Sequence, residues 1–403
     1  MAGVITTTPF HPRLSELNKT GLYGHWSGHL STLRYSDAPK HEYFAVRNSV
    51  GLFDTSPLYK YWIRGRDAEG LLAGVFTRDI RTCRPGRAQY TIWCDDRGFV
   101  MEAGVVFRHS DNEFFMTAAR PNLGYLSDLI GRLQVEIEDV TDEYGILAIQ
   151  GPRSRELISD LTGDIEGLRY FQHTETKVAG SPVTVSRTGY TGDLGFEVTV
   201  PRDQALGVLD AILERGAAYG LRPFGEDALM MLRIEAGLPL IDVDFNNSRL
   251  VYTDHDRVTP QELGLGWMLK GVDGDRQFIG REAIVSELRD GTSRWSTVGI
   301  VADWQDWDRL YREAGLLPEK NEQPLDWESV IYNAKGKQIG YATAFMYSPV
   351  LQRHIGMARV EPKHAPVGTE LHLETTINHH NTTVLARTAK MPLFNPERKT
   401  FTP

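Results

Sequence analysis

Polar and hydrophobic positions change period several times along this chain. Tyr59 to Arg64 alternates as a strand should, whereas Asp67 to Phe76 places Leu71, Leu72 and Val75 at helical spacing. His41 to Val50 reads as a short helix burying Tyr43, Phe44 and Val46, with Gly51-Leu52-Phe53-Asp54 as its exit. Tyr90 to Trp93 and Val100 to Phe107 read as strands around an Asp95-Asp96-Arg97-Gly98 turn. Ala148-Ile149-Gln150-Gly151-Pro152 closes a further strand, followed by a helix from Arg153 to Leu161. Asp203 to Tyr219 is an amphipathic helix with Leu206, Leu209, Ile212 and Leu213 on its apolar face, and Glu226 to Glu235 is another helix. No regular strand-helix-strand repeat runs through these elements, so the pattern predicts an α+β fold rather than a doubly wound sheet.

After a short helix from Glu282 to Arg289, the turn formers Asp290-Gly291-Thr292-Ser293 mark a boundary. Short strands follow at Ser296 to Val301, Ser329 to Tyr332, Gln338 to Thr343, His354 to Val360 and Glu370 to Leu373. That spacing predicts a small all-β barrel or sandwich. The expected organisation is therefore an α+β region over residues 10–290 and a β domain over residues 291–403.

One interruption stands apart. Val183, Val185 and Arg187 alternate, then Thr188-Gly189-Tyr190-Thr191-Gly192-Asp193-Leu194-Gly195 breaks the period before Phe196, Val198 and Val200 resume it. Glycines leave room for a close surface, so an aromatic and a carboxylate at this bend can face a flat ligand; a glycine-rich hairpin with charged ends explains the same residues. The G-x-x-G-x-x-G spacing is not the dinucleotide pattern, and no helix follows to cradle a phosphate.

Composition narrows the classes. The chain has 403 residues, 41% of them hydrophobic, which suffices for two or three packed units. A net charge of −9 argues against general binding to nucleic acid or anionic membranes, so an anionic ligand requires its own local arginines. Cys83 and Cys94 are the two cysteines, without a C-x-x-C, so neither a disulfide framework nor a cysteine zinc site is expected and a cytoplasmic location fits. Met1 to Pro12 lacks a signal-peptide pattern, and no stretch approaches the roughly 18 apolar residues of a membrane span.

Gly189-Tyr190-Thr191-Gly192 with Gly195-Phe196-Glu197, then Leu232-Arg233-Ile234-Glu235-Ala236-Gly237, Gly264-Leu265-Gly266-Trp267 and Phe278-Ile279-Gly280-Arg281, together resemble the glycine-cleavage T-protein (aminomethyltransferase) family in order and spacing. The resemblance runs from about His41 to Pro396 and includes Ile149-Gln150-Gly151-Pro152. It implies three subdomains around a central channel for tetrahydrofolate, the third being the C-terminal β unit. Glu197 matches the family carboxylate that accepts the N–H donors of a reduced pterin. Tyr90 and Tyr190 match tyrosines near the folate, or are core residues. Arg233 faces an anionic substrate or folate group, or pairs with Asp227 or Glu235; Trp267 walls the site or belongs to the core.

At the reacting centre the chain departs from that family. Its aspartate after the Gly-x-Val-x hairpin is Glu102 here, and its asparagine on the next strand aligns with Ala118. A carboxylate moved by one methylene is a displacement of about 1 Å, enough to matter in catalysis. Thr8-Pro9-Phe10 and Thr77-Arg78-Asp79-Ile80 look more like the tetrahydrofolate-dependent demethylases of the superfamily, and Asp242 to Arg257 is longer and more polar than a T-protein loop. The resemblance thus implies one-carbon transfer from a small methylated substrate to folate N5, with Glu102 positioning or deprotonating the nitrogen. The alternative is a true aminomethyltransferase working with the lipoyl H-protein. A folate-binding accessory protein is a further alternative, but neither cysteine follows Lys-Gly, as those relatives require. The methyl-oxidising flavoenzymes that contain a similar folate module are not expected as complete proteins here, because the sequence shows no N-terminal dinucleotide-binding half. His379-His380 fits a solvated turn better than a metal site. His25, Trp26 and His29 lie in a stretch that approaches substrate in related proteins, and Trp304 with Trp307 closes the site or anchors the β unit.

Overall fold

The computed structural model describes residues 5–402 apart from 164, 166 and 325–327, so the first four residues of the N-terminal stretch read for a leader lie outside it, as does Pro403. Two compact units divide the chain. The first comprises Met1–Trp93, Glu102–Leu229 and Pro396–Pro403, and the second Cys94–Met101 with Met230–Asn395.

A six-stranded sheet forms the main layer of the first unit, in the order His173–Val178, Ser181–Ser186, Gly195–Pro201, Tyr144–Gln150, Val50–Asp54 and Leu221–Pro223. Neighbours are antiparallel except the last pair, which is parallel. Every second residue of Gly195–Pro201 enters the core: Phe196, Val198 and Val200 are fully buried, among Val185, Leu147 and Ile149. The helices Ser154–Thr162 and Ala205–Gly216 cover that face with Leu157, Ile158, Leu209 and Ile212. Gly51 to Asp54, expected as a helix exit, belongs to a strand because Leu52 and Phe53 pair with Ile149 and Ala148. Long-range pairing here outweighs the local turn signal.

A second sheet runs in the order Arg87–Cys94, Val100–Arg108, Glu113–Ala118, Tyr59–Arg64, Glu136–Asp139. Lys60, on its fourth strand, is completely buried and gives its ammonium to the carbonyls of Ser56, Leu58 and Thr141 at 2.7, 2.9 and 3.0 Å. Burial holds its amine down at about 8, against the pull of Asp54. Three backbone acceptors satisfy all three donors of this lysine.

In the second unit the strands Ser296–Ala302, Arg353–Val360, Gln338–Ser348, Ser329–Tyr332, Glu370–Ile377 and His380–Ala389 close a barrel in that order. Closure comes from Gly299–Ala302, which pairs with the last strand as well as with Arg353–Val360. His379, at a positive φ of 65°, turns the chain between the final two strands. The Asp303 to Trp307 run opens a helix, Trp304–Glu313, which the aromatic pattern alone did not suggest. Asp303 caps it by accepting from the amides of Gln305 and Asp306, and Trp307 and Tyr311 then face the core while Trp304 stays exposed.

His354 stacks on Trp307 with ring centroids 4.1 Å apart, and its Nε2 has no hydrogen-bond partner among the described residues. Burial pushes its imidazole down to about 4, and His173 of the first unit likewise to about 4. Both are therefore neutral in the fold, and the unfolded chain binds more protons between their usual value near 6.5 and about 4. Stability from these two groups is complete above pH 6.5 and is lost as the pH falls toward 4, on the order of 2–3 kcal/mol per group. Urea unfolding should show the midpoint falling over this window, and His354→Phe should flatten the decline.

Among the described residues, no helix is long and apolar enough to cross a membrane.

Candidate functional site

The glycine-rich bend is organised around Gln150, the last residue of the strand Tyr144–Gln150 and fully buried. Its Nε2 donates to the carbonyls of Thr188 and Phe196, both at 3.2 Å, while its Oε1 accepts from the Thr191 hydroxyl at 2.9 Å. The amide lies close to two glycines. A Cβ on Gly189 or on Gly195 would stand 2.1 or 2.2 Å from Gln150 Oε1, closer than any real contact. Gly192, at a φ of 72°, makes the turn itself.

The two carboxylates of the bend have separate fates. Asp193 accepts from Arg47 Nη1 at 3.2 Å and from Arg398 Nε and Nη2 at 2.7 and 2.9 Å, so a residue from the end of the chain neutralises it. The same tail is tied down by Arg187, fully buried, which donates to Thr402 Oγ1 and the Phe401 carbonyl at 2.6 and 2.5 Å. Burial holds that guanidinium down at about 10. Glu197, by contrast, is half-buried and receives one hydrogen bond, from the Thr188 hydroxyl on its Oε2. Its Oε1 has no partner among the described residues. Burial raises the carboxyl above the usual range, and the Thr188 hydroxyl opposes that rise. Tyr190, half-buried, sits on the same bend beside exposed Gly189.

Glu102 and Tyr90 form the other pair that the structure brings together. They occupy neighbouring strands of the second sheet, and the Glu102 charge adds to burial in raising the Tyr90 hydroxyl well above its usual value. Glu102 is buried, its two oxygens accepting from the amides of Ala103 and Arg120 at 2.9 and 3.0 Å. Asn122 shapes the Arg120 turn: its Nδ2 donates to the Arg120 carbonyl at 2.7 Å and its Oδ1 accepts from the Trp93 indole at 3.2 Å. Ala118, buried, lies between Tyr59 and Gly104 in the sheet.

Arg233 and Trp267 belong to the second unit. Arg233, on the helix Glu226–Glu235, is fully buried and pairs with Asp244 at 2.5 Å, not with Asp227 or Glu235. Asp244 also accepts from the Leu240 amide at 2.8 Å and the Thr343 hydroxyl at 2.5 Å, so the polar 242–257 region supplies a residue that satisfies a buried cation. Trp267 lies on the short turn Gly266–Leu269 with 55% of its surface exposed. Of the N-terminal candidates, His29 is buried against the Ser27 carbonyl, Trp26 stacks on Phe53, and His25 is exposed. Sequence reasoning missed Gln150, Thr188 and Asp244. A lone buried amide ending the apolar run Ile146 to Ile149 was the one available signal, since the partners of the other two are distant in sequence.

With this geometry in hand, two family models cover the chain: residues 17–272 match the GCVT N-terminal domain and residues 312–395 the glycine cleavage T-protein C-terminal barrel domain. The chain belongs to the GCVT family. Similar members include an aminomethyltransferase of a Thermoanaerobacter species, 32% identical over 82% of this chain and 84% of its own. Another, from Streptomyces coelicolor, is 34% identical over 84% of this chain and 85% of its own. The crystal structure of glycine cleavage system aminomethyltransferase T from Bartonella henselae superposes with a TM-score of 0.81, at 21% identity, over 97% of this GCVT chain and 99% of that one. That likeness establishes the fold.

Two substitutions probe these arrangements. Gly195→Ala should destabilise by about 1–3 kcal/mol through its collision with Gln150, and Gln150→Ala in the same chain should recover part of the loss. Arg233→Met should cost about 3–5 kcal/mol by leaving Asp244 buried and uncompensated. Urea denaturation checks both.

Proposed function

We propose that this chain is a tetrahydrofolate-dependent transferase of one-carbon units, and that it accepts an aminomethyl group from the lipoyl H-protein of the glycine cleavage system. The observation that carries the reading is Glu197: one oxygen held by Thr188, the other without a partner among the described residues, on a bend bare of side chains at Gly189. A reduced pterin offers the neighbouring N–H donors that such a carboxylate accepts. The name aminomethyltransferase on the relatives supports the H-protein reaction over demethylation.

When bound, the folate supplies a nucleophilic nitrogen for the one-carbon unit. Glu197 orients the pterin edge, and Tyr190 flanks it. Glu102, fixed by two backbone amides, accepts or holds a proton at the reacting nitrogen, with the Tyr90 hydroxyl kept neutral beside it. Within the second unit, Arg233 directs one guanidinium edge to Asp244, and its Nη2, which makes no hydrogen bond among the described residues, is the donor proposed for an anionic group; Trp267, on the same unit, has an exposed indole.

The second reading, a demethylase acting on a small methylated compound, rests on Glu102 in place of the family aspartate and Ala118 in place of the asparagine. Purified protein incubated with tetrahydrofolate and either aminomethylated H-protein or a panel of S-, N- and O-methyl compounds distinguishes the two. Turnover with H-protein is expected; turnover with methylated compounds alone would establish the second reading. Glu197→Gln should weaken tetrahydrofolate at least about tenfold in a binding titration, as expected for loss of a charged acceptor. Glu102→Gln should lower kcat by about 10² to 10⁴ with little change in folate affinity.

A further inference from the structure

We infer that Thr188 is the positioning residue for Glu197: braced by Ser186 and Gln150, it selects which carboxylate oxygen faces the ligand. The inference rests on the folate reading of Glu197. Its basis is local. Ser186 and Glu197 are direct cross-strand partners, and Thr188 stands two residues farther along the same face, diagonal to Glu197. Thr188 is buried, as is Ser186.

A hydroxyl has one hydrogen to give, and Thr188 gives it to Glu197 Oε2. Toward Ser186 Oγ, 2.6 Å away, it is then the acceptor, so the Ser186 hydrogen points at Thr188 and the pair runs in one direction toward the carboxylate. Gln150 fixes the Thr188 backbone through its carbonyl at 3.2 Å and the far arm through the Phe196 carbonyl, next to Glu197, also at 3.2 Å. Donor and acceptor are thus anchored to one amide. On the opposite side Glu197 pairs with Ala148, whose methyl offers no hydrogen bond. Oε1 is consequently the oxygen left for a ligand.

The charge state follows from the same geometry. Burial alone pushes the Glu197 carboxyl upward, and Thr188 is the one side chain acting against it; no ionised group among the described residues contributes. Asp193, the other acid of the bend, is already neutralised by Arg47 and Arg398. A purely structural threonine would affect folding. A positioning threonine also sets the pH at which the ligand is gripped.

The test is the pH dependence of tetrahydrofolate binding, followed by tryptophan quenching under reducing conditions. Wild type should lose affinity on the acid side as Glu197 protonates. Thr188→Val, nearly isosteric, should bind about tenfold more weakly at pH 7 and move the acid limb up by about one pH unit, since the hydrogen bond to the charged form is gone. Thr188→Ser should restore both. Should the valine variant not fold, Ser186→Ala should give the same shift at smaller size. If wild type binds and Glu197→Gln is weakened, but Thr188→Val follows the wild-type pH curve, the positioning role is overturned and the folate reading stands. If wild type does not bind tetrahydrofolate, or Glu197→Gln binds equally well, the folate reading fails and this inference with it.

Discussion

The side-chain amide of Gln150 is the constraint on which the candidate site depends. A single buried group holds three points of the bend, the carbonyls of Thr188 and Phe196 and the Thr191 hydroxyl, and it uses both donors and its acceptor to do so. Such a network is worth having in a protein interior only when complete, because an unsatisfied amide there costs about 1–3 kcal/mol. Gly189 and Gly195 are what permit it to be complete, since any side chain at either position would occupy the space of the amide. The glycines that looked like ligand clearance in the sequence thus admit an internal brace.

Charge is sorted around this brace by what each acid can reach. Asp193 lies where Arg47 and Arg398 converge, so its charge is spent on joining the C-terminal tail to the rest of the first unit. Among the described residues, Glu197 finds one hydroxyl and no cation. An acid left in that condition is expensive to bury. Arg233 illustrates the converse. Its pairing with Asp244 satisfies a buried cation within the second unit, and the Leu238 carbonyl takes a further bond from the same Nη1.

Much of the fold was legible in the sequence wherever burial period and turn chemistry agreed. Tyr59–Arg64, Glu226–Glu235 and Ser329–Tyr332 appear at the boundaries that their patterns indicate. Where the two signals conflicted, the structure followed long-range pairing, as at Val50–Asp54, or a capping interaction, as at Asp303. The site was legible as residue types in motif order. Their division of labour was not, because Gln150 and Thr188 are 38 residues apart and Arg398 meets Asp193 across 205.

By itself, the sequence determined the class of fold, the family, and the presence of an acid at positions 102 and 197, because these depend on residue identity and local spacing. Tertiary structure decided which acids are neutralised by arginine, which oxygen of Glu197 is left unpaired, and why Gly189 and Gly195 must lack side chains. Hydrogen bonds and desolvation depend on what surrounds a group, and for these residues the surroundings are assembled from segments that only folding brings together.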